Sequence, residues 1–353
     1  MAPKLQRADY HVAWIAPVSD LELLPSRLML DEEHKTPDYD ISYDNNIYTF
    51  RTIAGHNVVI ATCLPGLTGN INTGRVIGSM FKTFSNLRIA LLVGIGGGIP
   101  RAYPSADPTE DVHVGDVVVG WPGDGGPACV YYNSGKWHTD KPFEPRGIID
   151  KPDRKFTFPG LDKDLLFQAL YPYKGPNHNQ CGQCDRSELI RRPARTANDN
   201  AEFIFYHGRV ATGNAVIKDG QRRDQIRELC KDALCIEMEA AGVDASGRCL
   251  VIRGISDYAD SHKDDIWRSY AAGQAAVFAR ELLRKIPGAT VRGMEIQQIT
   301  MHPASLPKRD GMPSGPDVSI HRLMGSEQKS LPWEGTHPEQ APMNNAETSQ
   351  RSE

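Results

Sequence analysis

The sequence predicts an α/β fold: a single domain with a central mixed, largely parallel sheet flanked by helices, followed by a disordered C-terminal tail. Three observations predict it. Short apolar runs rich in β-forming residues alternate with stretches of helical apolar spacing over most of the chain. One run, residues 87–95 (LRIALLVGI), is nearly continuous in its apolar character, as in a strand covered on both faces. From residue 301 the composition turns to Pro, Ser, Gln, Asn and charge, with too few large apolar groups to offset the entropy of ordering.

Taken in order, residues 10–16 (YHVAWIA) read as a buried first strand ended by Pro17, and residues 21–30 have helical spacing. Residues 47–53 and 56–63 form a hairpin about Ala54 and Gly55. A helix over 70–84 leads into the 87–95 strand, and further strands are expected over 112–120 and 200–211. The last third reads as a helix at 221–231, a strand at 233–236, a helix at 237–247, a strand at 249–255 and a helix at 267–286. Between 121 and 198 the pattern weakens to Pro, Lys, Asp and Gly with one helix-like piece at 161–170, so this region is expected to be a surface insertion. The domain is thus placed at 8–287 and the tail at 288–353.

The 353 residues, 40% hydrophobic and 24% charged, suit one large globular domain. A net charge of −4 gives no reason to expect a nucleic-acid surface. No apolar run approaches the roughly 20 residues that span a bilayer, and no signal-type segment opens the chain, so a cytoplasmic protein without a membrane partner is expected. Seven cysteines, several in apolar runs, read as reduced thiols. Cys181 and Cys184, with His178 nearby, supply at most half of a zinc site, and neither a metal nor a cofactor is expected.

Four clusters could carry chemistry: 16–20 (APVSD), 93–100 (VGIGGGIP), 236–242 (IEMEAAG) and 253–260 (RGISDYAD). All but the third lie where a strand is expected to give way to a loop. Ligands of open α/β sheets bind beyond the carboxyl ends of strands, so these loops can converge on one pocket. Gly96, Gly97 and Gly98 permit close backbone approach to a ligand or simply make a tight turn. They match neither a GxGxxG fingerprint nor a GxxxxGK[ST] phosphate loop. Glu237 and Glu239 could hold a vicinal diol, with Met238 as a soft surface for a sugar, or could merely start a helix. Asp257 is a half-buried general acid or an N-cap.

Together these clusters resemble the nucleoside phosphorylase and nucleosidase superfamily, over residues 10–286 with the 121–198 interruption. Within it, 93–100, 211–219 (ATGNAVIKD) and 255–263 (ISDYADSHK) are similar to a fungal-type branch often fused to signalling or repeat domains. The resemblance implies a homo-oligomeric enzyme that cleaves the N-glycosidic bond of a purine nucleoside or nucleotide. It makes Asp257 the donor of a proton to the base, Glu239 the clamp on the ribose hydroxyls and Met238 the wall behind the sugar. Ala215, Val216 and Ile217 would line the base pocket, and Gly96, Gly97 and Gly98 would face the sugar and the nucleophile. In nucleosidases a carboxylate in the first strand's loop activates water, whereas phosphorylases hold phosphate with arginine. Asp20 occupies that place, with Glu22 as the substitute, and no arginine lies between 16 and 24, which favours hydrolysis. Arg101 and Lys218, with Arg222 and Arg223, could meet a 5′ phosphate. Phosphorolysis and nucleotide sensing without turnover are the competing readings.

Overall fold

The computed structural model describes residues 4–29, 31–121, 123–124, 126–132, 156–175, 181–193, 195, 203–244 and 249–294, all within the unit Met1–Lys308. They build one eleven-stranded mixed sheet with helices packed against it. The α/β class expected from the sequence is the class the chain adopts.

Strand β1 (Val12–Ile15) runs parallel to β4 (His56–Ala61) on one side and to β5 (Ile89–Gly98) on the other. β3 (Tyr48–Ile53) forms an antiparallel hairpin with β4, and β2 (Glu32–Glu33) covers its outer edge. Ala54 and Gly55 both take positive φ, 51° and 78°, which gives the two-residue turn a twist matching the strands. β5 is the longest strand, and its other edge carries β11 (Cys249–Asp257), parallel from Ala90 to Gly97. Beyond the end of β1, the antiparallel β10 (Cys235–Glu237) takes over the first edge, pairing with Gly97 and Gly98. β9 (Val210–Thr212) and β7 (Cys129–Tyr131) extend the sheet from β10, while β6 (Val117–Gly120) and β8 (Phe205–Gly208) extend it from β11.

Six helices accompany the sheet among the described residues: α1 (Leu23–Leu28), α2 (Asn70–Thr83), α3 (Gly220–Leu229), α4 (Ala241–Asp244), α5 (Arg268–Lys285) and α6 (Gly288–Gly293). α5 lies on β11 and β5 through a face of small residues, Ala271, Ala272, Ala275, Ala276 and Ala279. At the point of closest approach a side chain on Gly254 would collide with the carbonyl of Ala271, so helix and strand meet backbone to backbone. No helix among the described residues is long and apolar enough to cross a membrane.

Several expectations are corrected. The 161–170 piece is a single 3-10 turn, Leu161–Lys163, followed by extended chain in which Phe167 bridges Leu189. The 200–211 strand is two, β8 and β9, because consecutive segments pair with different neighbours. The strand expected at 112–120 begins only at Val117, after a turn that needs Gly115 at φ +92°. The helix expected from 237 is delayed to Ala241, since Glu237 is still in β10, and 245–248 lie outside the described residues. Nor is 121–198 only a surface insertion: β7 belongs to the main sheet, and Leu166, Phe167 and Cys184 are buried. Helix α6, with Val291 fully buried, continues the described chain past the expected boundary at 287. His178 and the tail from 295 lie outside the described residues.

Candidate active site

The glycines at 96–98 were expected in a loop, but they are the last residues of β5, held on both edges by β10 and β11. Their missing side chains make room for the side chains of neighbouring strands. A Cβ on Gly97 would stand 3.0 Å from Asp257 Oδ1 and 2.9 Å from the Ala259 methyl. A Cβ on Gly94 would stand 2.5 Å from Arg253 Nη1 and would strike the Glu22 carboxylate. β5 is thus a bare ribbon across whose end acidic side chains from three separate segments can gather.

Arg253, fully buried on β11, is the centre of that gathering. Its Nη2 donates to Glu237 Oε2 and lies 3.5 Å from Glu239 Oε2, and its Nη1 reaches the Ile95 carbonyl at 3.4 Å. Burial opposes its charge, but Glu237, Glu239 and Glu22 outweigh burial and hold the guanidinium protonated. Glu237 also accepts the N–H groups of Glu239 (3.0 Å) and Ala240 (2.9 and 3.1 Å), so it caps the turn after β10 and is taken up within the protein. Glu239 is held more loosely, accepting the Gly69 and Met238 N–H groups, each at 3.3 Å. Burial pushes its carboxyl up against the pull of Arg253. Met238 beside it is half-buried.

The first-strand loop delivers Glu22, not Asp20. Asp20 is exposed. Glu22 is 2% exposed and folds back over its loop, accepting the Val18 N–H at 2.7 Å through Oε2 and the Ile95 N–H at 2.9 Å through Oε1. Burial raises its carboxyl to about 7 despite Arg253, with Glu239 adding to the rise. The physical reason for the exchange is local: β1 ends at Ile15, and the following turn, closed by the Val18 carbonyl on the Leu21 and Glu22 N–H groups, faces residue 22 inward.

Asp257, 4% exposed, sits at the end of β11 after a bulge that turns it toward Gly97. It accepts the Ala259 N–H at 2.9 Å and the Ser256 hydroxyl at 2.6 Å, and Lys263 Nζ lies 2.9 Å from its Oδ2. β10 and β11 flank β5 at Gly97, so the Glu239 and Asp257 ends of the site are about 10 Å apart, two strand spacings. A cavity of about 30 Å³, room for roughly one water, opens at Asp257 and Lys263; neither Met238 nor Glu239 lines it.

Of the remaining expected site residues, Ala215 and Val216 are exposed and Ile217 half-buried, with the Ala215 carbonyl accepting from the Tyr132 hydroxyl at 3.2 Å. Lys218 is exposed. Arg101 is bound to Glu110 at 3.3 Å on the surface. Arg223 is buried and donates to the Tyr258 carbonyl at 3.2 Å, so it supports the loop after Asp257 instead of facing a ligand.

Comparison with known proteins finds relatives of part of the chain. No protein-family model matches the chain. A nucleotide-binding leucine-rich repeat (NLR)-like protein of Hyaloscypha variabilis is 34% identical over 315 residues, 80% of this chain and 30% of that protein. ATP nucleosidase Cap17 of Escherichia coli is 26% identical over 226 residues, 61% of this chain and 39% of that protein. The chain is thus similar in sequence to part of a protein named as an ATP nucleosidase. It spans well under half the length of the curated relatives it matches. Among solved structures, 5′-methylthioadenosine/S-adenosylhomocysteine nucleosidase of Neisseria meningitidis aligns over 78% of this chain and 99% of its own, at 17% identity and a TM-score of 0.48. Futalosine hydrolase of Helicobacter pylori aligns over 79% and 99%, at 16% identity and a TM-score of 0.48.

In the structure the supposed insertion braces the site from behind. Arg192 donates to both oxygens of Asp164 at 2.9 and 3.1 Å, to the Tyr258 hydroxyl at 2.6 Å and to the Val112 carbonyl at 3.1 Å. Tyr258 in turn donates to Asp164 at 2.6 Å, and His113 Nδ1 lies 2.7 Å from the same carboxylate. Arg195 grips Asp116 with two bonds, at 2.6 and 2.8 Å. Apart from Tyr258, these residues carry no sequence signal, because Arg192 and Arg195 lie among Pro and polar residues that read as solvated loop. Arg253 did leave a signal: it is a charge inside an otherwise apolar strand run.

Proposed function

We propose that the chain hydrolyses the N-glycosidic bond of a purine nucleoside or nucleotide, with Glu22 in place of Asp20 as the group that activates water. The observation that carries this reading is Glu22 itself: a buried carboxylate, raised to about 7, fixed by two N–H groups beside Glu239 and Arg253. A base tuned near neutrality is what proton abstraction from water needs. Water that gives its proton to Glu22 attacks the anomeric carbon as the bond to the base breaks. The electron pair leaves with the purine and is neutralised by a proton delivered from Asp257 to the imidazole edge. Glu239, whose hydrogen bonds are long, exchanges them for the ribose hydroxyls, while Met238 backs the sugar.

The electrostatics favour water over phosphate as the nucleophile. One guanidinium, Arg253, faces Glu22, Glu237 and Glu239, and it is fully buried. A phosphate dianion placed there would meet surplus negative charge and no unengaged cation. The name of one relative, ATP nucleosidase Cap17, supports a nucleosidase and brings nucleotides within the substrate panel.

Incubation of the purified chain with adenosine, inosine, guanosine and ATP, with and without phosphate, tests the reading by chromatography of free base. Release independent of phosphate is expected. Release only with phosphate would make the chain a phosphorylase, and calorimetric binding without any release would make it a nucleotide sensor, the reading that the NLR-like relative favours.

A further inference from the structure

An aspartate that gives a proton to a leaving base must have that proton supplied in each turnover. The structure places one candidate supplier directly on Asp257. Lys263 Nζ lies 2.9 Å from Asp257 Oδ2, in the same loop six residues on. Asp257 is 2% exposed in its side chain, while Lys263 is 22% exposed, so the lysine side chain is the more accessible to solvent of the two.

We propose that Lys263 is a catalytic proton carrier: its ammonium passes a proton to the Asp257 carboxylate as that carboxyl protonates the departing base. This rests on the glycosidase reading above. The balance closes through solvent. The bond between the anomeric carbon and the base breaks, its electron pair stays on the base, Asp257 donates one proton to the base and takes one from Lys263. The neutral amine takes a proton back from solvent by way of the cavity of about 30 Å³ beside both residues, and Glu22 returns to solvent the proton it took from the attacking water, so that one water is consumed and both groups are reset.

Among the described residues the other titratable groups around the pair are engaged or lack a proton to give at neutral pH. Asp260 and Asp264, from the same loop, are raised by burial only to about 6, so both are mostly ionised at neutral pH. Asp260 is engaged by the His262 N–H at 2.9 Å and faces Arg223. Burial lowers His262 to about 4, which leaves it neutral, and it stacks on Phe167 at 4.1 Å. From the opposing segments, Lys163 pairs with Asp162 at 2.6 Å, and burial pushes the Cys181 thiol up to about 12. Tyr258 turns its hydroxyl away to Asp164. From β5 the approach is made by Gly97 and Gly98, which bring no titratable side chain.

The decisive experiment compares wild type, K263M and K263R in base release from adenosine and ATP between about pH 5 and about pH 10, the span from carboxylate to lysine titration. K263R keeps the charge and can keep the hydrogen bond, but a guanidinium does not give up its proton. The expected result is that both variants lose about 10² to 10⁴ in kcat at neutral pH, with KM little changed, and that the ratio of variant to wild-type activity rises toward acid, where Asp257 draws its proton from solvent. Wild-type kcat in K263R would reduce Lys263 to a positioning charge and overturn the proposal. So would a wild-type pH profile in K263M. Wild-type protein that releases base while both variants match it sinks the relay alone. Protein that releases no base sinks the glycosidase reading and the relay together. Circular dichroism of the variants, altered only at a partly exposed side chain, checks the fold.

Discussion

The carboxylate of Glu22 accepts the backbone N–H of Ile95 at 2.9 Å, joining the loop after β1 to the middle of β5 across 73 residues of chain. Through this contact the loop is latched to the ribbon of glycines, and Glu22 is held against Arg253 and Glu239.

If Glu22 is the base, Glu22→Gln lowers base release by about 10² to 10⁴, whereas Asp20→Asn stays within a few-fold of wild type. Steady-state kinetics of the two variants separate them. The reverse ranking would return the role to Asp20.

The raised carboxyl of Glu22 also sets a pH dependence. Its value of about 7 in the folded chain exceeds the ordinary 4.5. Between those limits the native state therefore binds more protons than the unfolded one, and stability falls as pH rises through the window, by about 3 kcal/mol at most. Glu22→Gln removes that loss, so its melting temperature should exceed wild type at pH 8 and match it below pH 4.5. Base release by wild type should climb as pH passes about 7. Melting curves and a kcat/KM profile check both, and a flat acid limb would refute the assignment.

Gly94 has no room for a methyl, since its Cβ would stand 2.5 Å from Arg253 Nη1 and 2.7 Å from Glu22 Cδ. Gly94→Ala is expected to destabilise the fold by about 1–3 kcal/mol and to reduce turnover by at least the loss seen in Glu22→Gln. Combining the two changes should cost much less than the sum of their separate effects on turnover. Additive losses would mean that Gly94 acts elsewhere.

Arg192 binds Asp164, Tyr258 and the Val112 carbonyl in a setting where it is 7% exposed. Arg192→Met leaves Asp164 without its guanidinium, and breaking a buried pair from one side costs about 3–5 kcal/mol. At roughly 2–4 °C per kcal/mol for a domain of this size, a fall of about 10 °C in melting temperature is expected. A fall under about 2 °C would show that the 156–195 region braces nothing.

The sequence by itself determined the α/β class, the first strand, the long strand running up to Gly96–Gly98 and the strand ending near Asp257, the helices at 70–83 and 268–285, the hairpin at Ala54 and Gly55, and the strings around Glu237, Met238, Glu239 and Asp257. These are local properties, written in the spacing of apolar residues and in turn chemistry within a few positions. Tertiary structure alone decided that Glu22 enters the site and Asp20 does not, that Arg253 gathers three carboxylates, and that Arg192 and Arg195 brace it. It also put Gly96, Gly97 and Gly98 inside β5 instead of in a loop. A carboxylate's burial and its partners depend on segments scores of residues away, as Glu22 depends on Ile95 and Arg253. Only the closed sheet brings those segments within hydrogen-bond reach, and no local pattern encodes which of two neighbouring acids will face it.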